Sequence, residues 1–170
     1  MKTIVIETPR TYLREFDTVD AKDLFDLNND PDVMRYTGDV PFASIDAARE
    51  FISRYDHYQQ YGYGRWALIT KSNEWLGWCG LKFNPDANIV DLGFRLKKKY
   101  WGKGFAYEAG SHCLSFAFNH LQIPSIIGRA AEPNVRSIEL LLKLGMKFKN
   151  SFVEGGLNWR VYETNTFATR

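Results

Sequence analysis

The stretch Asp91-Leu-Gly-Phe-Arg-Leu-Lys-Lys-Lys-Tyr-Trp-Gly-Lys-Gly-Phe-Ala-Tyr-Glu-Ala109 decides the fold. Val90, Leu92, Phe94 and Leu96 alternate with Asp91, Gly93 and Arg95, the pattern of a half-buried strand. Further on, Phe105, Ala109, Cys113, Ala117 and Leu121 recur at every fourth position, one apolar stripe along a helix. Between them, Gly102-Lys103-Gly104 allows the backbone to turn and to approach a ligand closely. A glycine loop that opens a helix suits phosphate oxygens, because the first helical N–H groups are unpaired and lie at the positive end of the dipole. The stretch predicts a strand, an anion-binding turn and a helix, holding a phosphate-bearing cofactor.

Upstream, Arg65-Trp-Ala-Leu-Ile-Thr70 and Trp75-Leu-Gly-Trp-Cys-Gly-Leu-Lys-Phe83 are strands joined by the hairpin turn Lys71-Ser-Asn-Glu74. The turn Asn84-Pro-Asp-Ala-Asn88 leads into the deciding strand. Thr8-Pro-Arg-Thr-Tyr-Leu-Arg-Glu-Phe16 reads as the first strand. Two helices follow it, one capped by Thr18 and one capped by Ser44 and ending near Tyr61-Gly62. Downstream of the long helix, Ser125-Ile-Ile-Gly-Arg-Ala-Ala131 is a strand that a helical crossover should make parallel to its predecessor. A last helix opens at Glu132-Pro-Asn-Val-Arg-Ser137 and stops at Gly145, and residues 146–152 and 159–166 close the chain as a hairpin around Gly155-Gly156. The expected order is βααβββαβαββ: an α+β fold with a mixed, mostly antiparallel seven-stranded sheet and helices on both faces. No repeat or linker interrupts it, so residues 1–170 are expected to form one domain.

At 170 residues, with 45% apolar and 15% aromatic side chains, the chain can build a real core. Its net charge of +2 does not point to nucleic acid. No apolar run is long enough for a membrane span or a leader, so a cytoplasmic protein is expected. Cys79 and Cys113 fit reduced thiols, and His57, His112 and His120 show no metal-ligand spacing, so no metal is expected.

The two glycines alone leave several nucleotide loops open. A nucleotide-triphosphate loop needs Ser or Thr after Gly-Lys, where this chain has Gly104. A dinucleotide fingerprint needs a third glycine where this chain has Tyr107, and needs parallel β/α units in place of the upstream hairpins. What remains, Lys99-Tyr-Trp-Gly-Lys-Gly-Phe-Ala106, resembles the acetyl-coenzyme A loop of the GNAT acetyltransferase superfamily, usually Gln/Arg-x-x-Gly-x-Gly/Ala, with Lys99 at the Gln/Arg position. Thr8-Pro-Arg-Thr-Tyr-Leu-Arg14, Asp20-Ala21 and Asn29-Asp-Pro-Asp-Val-Met-Arg-Tyr36 resemble the RimJ/RimL-like branch, which acetylates ribosomal-protein N-termini. So do Asn134-Val-Arg-Ser137 and Lys143-Leu-Gly145, with Met146 where phenylalanine is usual.

The resemblance implies an N-acetyltransferase that moves acetyl from acetyl-CoA directly to a primary amine. The N-terminal α-amine of a protein is the expected acceptor; a small amine (polyamine, antibiotic or amino acid) and a non-catalytic acyl-CoA sensor are the alternatives. It implies cofactor contacts from Trp101, Gly102, Lys103, Gly104, Phe105 and Ala106 at the pyrophosphate, with Lys99 beside them. Leu96 and Lys97 would pair with the pantetheine, and an N–H near Phe94 or Arg95 would face the thioester carbonyl. By resemblance Ser137 is the proton donor to the departing thiolate, with Asn134 beside it, and Asp91 stands where a strand glutamate often serves as base. Asp91 also reads as a solvated carboxylate or a partner of Arg95, and Glu108 as a structural carboxylate at the helix start. The loop over residues 28–42 and the turn over residues 154–159 are expected to frame the acceptor, with Asp30, Asp39, Trp78, Glu154 and Trp159 against it. Partners are then acetyl-CoA and the amine, with no nucleic acid and no membrane, and with room for a homodimer.

Overall fold

The computed structural model describes residues 2–165. Its strands form one sheet in the order β1-β2-β3-β4-β5-β6-β8-β7, from β1 (Ile4–Glu7), β2 (Thr11–Arg14), β3 (Arg65–Thr70), β4 (Trp75–Asn84), β5 (Ile89–Leu96), β6 (Ser125–Ala131), β7 (Lys147–Glu154) and β8 (Leu157–Asn165). Every neighbouring pair is antiparallel except β5 and β6, which are parallel as the helical crossover requires. The sheet has one strand more than the sequence predicts: of the expected first strand over residues 8–16 only Thr11–Arg14 is β2, Thr8-Pro9-Arg10 is a turn, and β1 lies ahead of it over Ile4–Glu7. The expected end of the last strand at Thr166 lies outside the described residues.

On one face lie α1 (Ala21–Asn29), α2 (Pro31–Met34), α3 (Ile45–Ser53) and α4 (His57–Tyr61). Leu24, Leu27, Ala48 and Ile52 pack there against Ala67, Ile69 and Trp75 of the sheet. Thr18 is not a cap: it opens a 3-10 turn over Thr18–Asp20 that leads into α1 and is capped by Asp17, whose carboxylate accepts from Val19 N while Asp17 N donates to the Asp20 carboxylate at 2.8 Å. This reciprocal box satisfies two orphan donors, which one threonine hydroxyl cannot do. Ser44 caps α3 as expected, accepting from Ala47 N at 3.0 Å.

The opposite face carries α5 (Phe105–Asn119) and α6 (Val135–Lys143). Ala109, Cys113 and Ala117 of the α5 stripe are buried against Leu68, Leu76, Leu81 and Leu92. Alternation along β5 thus divides the strand, its apolar residues under α5 and Asp91, Gly93 and Arg95 toward the helices of the first face.

β5 and β6 do not run together for long. Their register has one pair, Asp91↔Ile127, while β4 and β5 stay paired from Asn84↔Ile89 to Gly77↔Leu96. Beyond Asp91 the two parallel strands part, and a gap opens between residues 92–96 and 128–131.

Candidate active site

The turn after β5 is shaped by two residues with positive φ, Gly102 at 71° and Gly104 at 80°. Glycine is the residue that adopts this region without steric cost. An ideal Cβ on Gly102 would meet nothing within 4 Å, so the turn borders open space. The N–H groups of residues 102–107 donate to no acceptor among the described residues, and the first helical bond of this segment is Glu108 N to Gly104 O at 3.0 Å. A run of outward amides at the start of a fifteen-residue helix is a cradle for a polyanion, so the turn fits a pyrophosphate.

The cradle is held from behind by the β1–β2 turn. Glu108 accepts from Thr8 Oγ1 at 2.6 Å, Arg10 N at 2.8 Å and Arg10 Nε at 2.7 Å. Arg10 also donates through Nη1 to Lys103 O at 2.8 Å and lies 4.3 Å from the Phe105 ring centroid. Burial would push the Glu108 carboxyl up, but the hydrogen bonds from Thr8 and Arg10 and the Arg10 charge outweigh it and hold it below its ordinary 4.5. Glu108 is therefore structural, as its place in the helix suggests.

Lys97, Lys98, Lys99 and Lys103 adjoin the loop in sequence, but the fold does not gather them into one cluster. Lys97 pairs with Asp23 of α1, and Lys98 with Asp32 of α2 at 2.6 Å. Lys99 and Lys103 are exposed with no carboxylate partner among the described residues, Lys99 lying 4.9 Å over the Tyr100 ring. From α6, Arg136 lies 5.7 Å over Trp101 and Lys143 4.4 Å over Tyr107, so two cations that the sequence reading missed also border the loop.

At the fork, Lys97 N donates to Leu76 O of β4 at 2.8 Å. Alternation along a strand then turns the N–H of Arg95 toward β4 and the N–H groups of Phe94 and Leu96 into the gap. Of the two expected oxyanion donors, Phe94 has the geometry and Arg95 does not. The pantetheine contacts expected of Leu96 and Lys97 also narrow. Leu96 O accepts from Trp101 Nε1 at 2.8 Å, and Lys97 O from Tyr100 N at 2.9 Å. Leu96 N–H is left facing the gap.

Across the fork, Asn134 caps α6 by accepting from Ser137 N at 3.4 Å. The Ser137 hydroxyl itself is half-buried and has no hydrogen-bond partner among the described residues. Capping and a free hydroxyl are thus divided between the two residues.

Asp91 differs from its expectation. It is buried, sits where β5 and β6 still pair, and is ion-paired with Arg65 rather than Arg95. Arg65 arrives from β3, donating through Nη1 to Gly80 O at 2.7 Å and to Asp91 O at 3.1 Å. It passes over Gly93, where a Cβ would stand 2.6 Å from the guanidinium carbon. Trp78 lies between Arg65 and Arg95, whose guanidinium carbons are 5.2 and 5.3 Å from its ring. Arg95 donates to Asn28 Oδ1 at 3.0 Å and to Asp39 Oδ2 at 2.7 Å, which fastens the 28–42 loop to β5. That loop meets the last hairpin where a Cβ on Gly38 would stand 3.5 Å from Trp159 Cζ2.

Of the expected acceptor residues, the structure therefore groups Trp78 with Asp39, both through Arg95. Trp159 reaches the same loop at Gly38. Asp30 is spent as the cap of α2, accepting from Asp32 N at 2.9 Å. Glu154 lies at the exposed end of β7 with no side-chain partner among the described residues.

The sequence model described as "Acetyltransferase (GNAT) domain" matches residues 10–147. The chain is 31% identical over 143 residues to a Bacillus licheniformis protein named uncharacterized N-acetyltransferase p20, covering 82% of this chain and 80% of that protein. In fold it is similar to an acetyltransferase (GNAT family) from Bacillus anthracis, with a TM-score of 0.82 at 22% identity, covering 94% of this chain and 97% of that one. It is also similar to spermidine N-acetyltransferase from Vibrio cholerae, solved in complex with CoA and spermine, with a TM-score of 0.79 at 19% identity and coverage of 93% and 96%.

Proposed function

The chain belongs to the GNAT acetyltransferase family and is an acyltransferase that uses acetyl-CoA; from this premise we propose that it acetylates the α-amine of a protein N-terminus directly. When bound, acetyl-CoA supplies a thioester carbonyl activated toward an amine. The amides of residues 102–107 bind its pyrophosphate, aided by the helix dipole and by Lys99, Lys103 and Arg136 at the rim. Phe94 N–H donates to a carbonyl oxygen lodged at the fork, where a fixed donor is worth most. As the C–N bond forms and the C–S bond breaks, the Ser137 hydroxyl would give its proton to the leaving sulfur and regain one from the water that takes the amine's proton.

The observation that supports the α-amine is the state of the carboxylates. Asp91 is taken by Arg65 and Asp39 by Arg95, so neither is a free base beside the fork. A lysine side chain, with a pKa of about 10.4, arrives protonated, whereas an α-amine at about 7.7–8.0 is partly neutral near pH 7 and needs only water to take its proton. A small amine is the second reading, supported by the open side of Asp39, whose carboxylate is 59% exposed at the loop edge.

Free-thiol release from acetyl-CoA, measured with N-terminal peptides, N-blocked lysine peptides and spermidine, separates the readings. Turnover is expected with the free N-terminal peptides, rising with pH as the α-amine loses its proton. Turnover with spermidine alone overturns the N-terminal assignment in favour of the small amine.

A further inference from the structure

The sheet ends at β7, which has β8 on one side and, among the described residues, no strand on the other. An open edge presents a row of unpaired backbone donors and acceptors. Its sequence, Lys147-Phe-Lys-Asn-Ser-Phe-Val-Glu154, is exposed along nearly its whole length, with Phe148 58% and Val153 77% exposed.

The register with β8 gives this edge a symmetry that the letters hide. Lys147 opposes Glu163 and Phe148 opposes Tyr162, then Asn150 opposes Val161, so Lys149 is the extra residue of a bulge. From there Ser151, Phe152, Val153 and Glu154 continue opposite Arg160, Trp159, Asn158 and Leu157. With Lys149 bulged out, Ser151 is the middle rung of the ladder. Asn150 and Phe152 lie one rung from it, Phe148 and Val153 two, and Lys147 and Glu154 three. The bulge also resets alternation, so Phe148 and Val153 share one face of the sheet instead of falling on opposite faces.

We propose that β7 pairs antiparallel with β7 of a second copy, about a two-fold axis at Ser151, joining the two sheets edge to edge. In this register Lys147 meets the partner's Glu154, Phe148 meets the partner's Val153, and the axis repeats both contacts. A single strand thus carries both halves of an apolar contact and of an ion pair. Leu142, 51% exposed on the last turn of α6, leads through Gly145 into this edge and extends its apolar surface. Lysines and bulges also serve to guard an edge against pairing. A guarded edge, however, gains nothing from two exposed apolar side chains at matched rungs, or from a glutamate at the rung that matches a lysine.

Sedimentation velocity on the full chain over a range of concentrations tests this, with wild type, Lys147→Glu, Glu154→Lys and the double exchange. Wild type is expected to dimerise with concentration. Each single reversal sets like charges opposite each other twice and raises the dimer dissociation constant about tenfold or more, and the double exchange returns it to within about threefold of wild type. Circular dichroism melts verify that the variants fold, and Glu154→Gln, which removes charge without reversing it, is expected to weaken the dimer less than Glu154→Lys. A wild type that stays monomeric, a dimer indifferent to the single reversals, or a double exchange that fails to restore it overturns the proposal. The readout is independent of catalysis, so it stands or falls apart from the acceptor assignment.

Discussion

Ser137 and Asp91 are both polar residues near the fork, and their surroundings give them opposite work. Asn134 takes over the capping of α6, which leaves the Ser137 hydroxyl free of partners among the described residues. Ser137→Ala should lower kcat roughly tenfold to a hundredfold while leaving the KM for acetyl-CoA near wild type, as loss of a proton donor requires. Steady-state kinetics with acetyl-CoA varied checks it, and a wild-type kcat removes the hydroxyl from the reaction. Asp91 is buried on a guanidinium, and breaking such a pair leaves a charge unmatched at a cost on the order of 3 kcal/mol. Asp91→Asn should therefore lower the melting temperature by several degrees and leave the acidic limb of the pH–rate profile in place. Movement of that limb with unchanged melting would restore Asp91 as the base.

At the level of elements, the cradle is a joint between the β1–β2 turn and the first turn of α5, and Glu108 is its pin. Arg10→Gln removes the charge paired with Glu108 and the stack on Phe105, and is expected to raise the KM for acetyl-CoA several-fold with little change in kcat. Equal losses in both parameters would mean general damage rather than a loosened cradle. Because the Glu108 carboxyl is held below its ordinary 4.5, its contribution is present above that value and is lost as pH falls through the lower folded value. Thermal melts between pH 3 and 6 should accordingly fall more steeply for wild type than for Glu108→Gln. The strand, glycine turn and long helix were legible because their signals are local: alternation, a four-residue recurrence and two glycines. β1 was not, since four residues at a sheet edge, with Ile4 42% exposed, give too short a pattern. Arg10 and Arg65 were missed because their partners lie 98 and 26 residues away, a distance over which sequence spacing carries no direction. The nearest hint to the second was Gly93, which on a strand reads as weakness and in the fold is the passage for a guanidinium.

For the molecule as a whole, the sheet separates two cores, one purely apolar beneath α5 and one beneath α1 to α4 that sets the Arg65–Asp91 and Arg95–Asp39 pairs beside its apolar side chains. The thiols belong to the apolar side, Cys79 and Cys113 both buried with their sulfurs 3.7 Å apart. The adjacent Cys79 sulfur and burial push the Cys113 thiol well above its ordinary value, so it is a poor nucleophile. Both thiols should react with an aromatic disulfide reagent only after denaturant is added; a stoichiometric burst in the native protein would reopen a covalent route. The Thr8–Glu108 bond closes a loop of 100 residues, and that has a bearing on how the protein comes into being. During synthesis the first hairpin leaves the ribosome long before its partner helix exists, and closing so distant a contact is slow and entropically costly. The brace behind the glycine turn is therefore expected to close late in folding. Newly made chains should become competent for the coenzyme only after the core has formed, and coenzyme present at that moment would draw the final docking step forward by mass action.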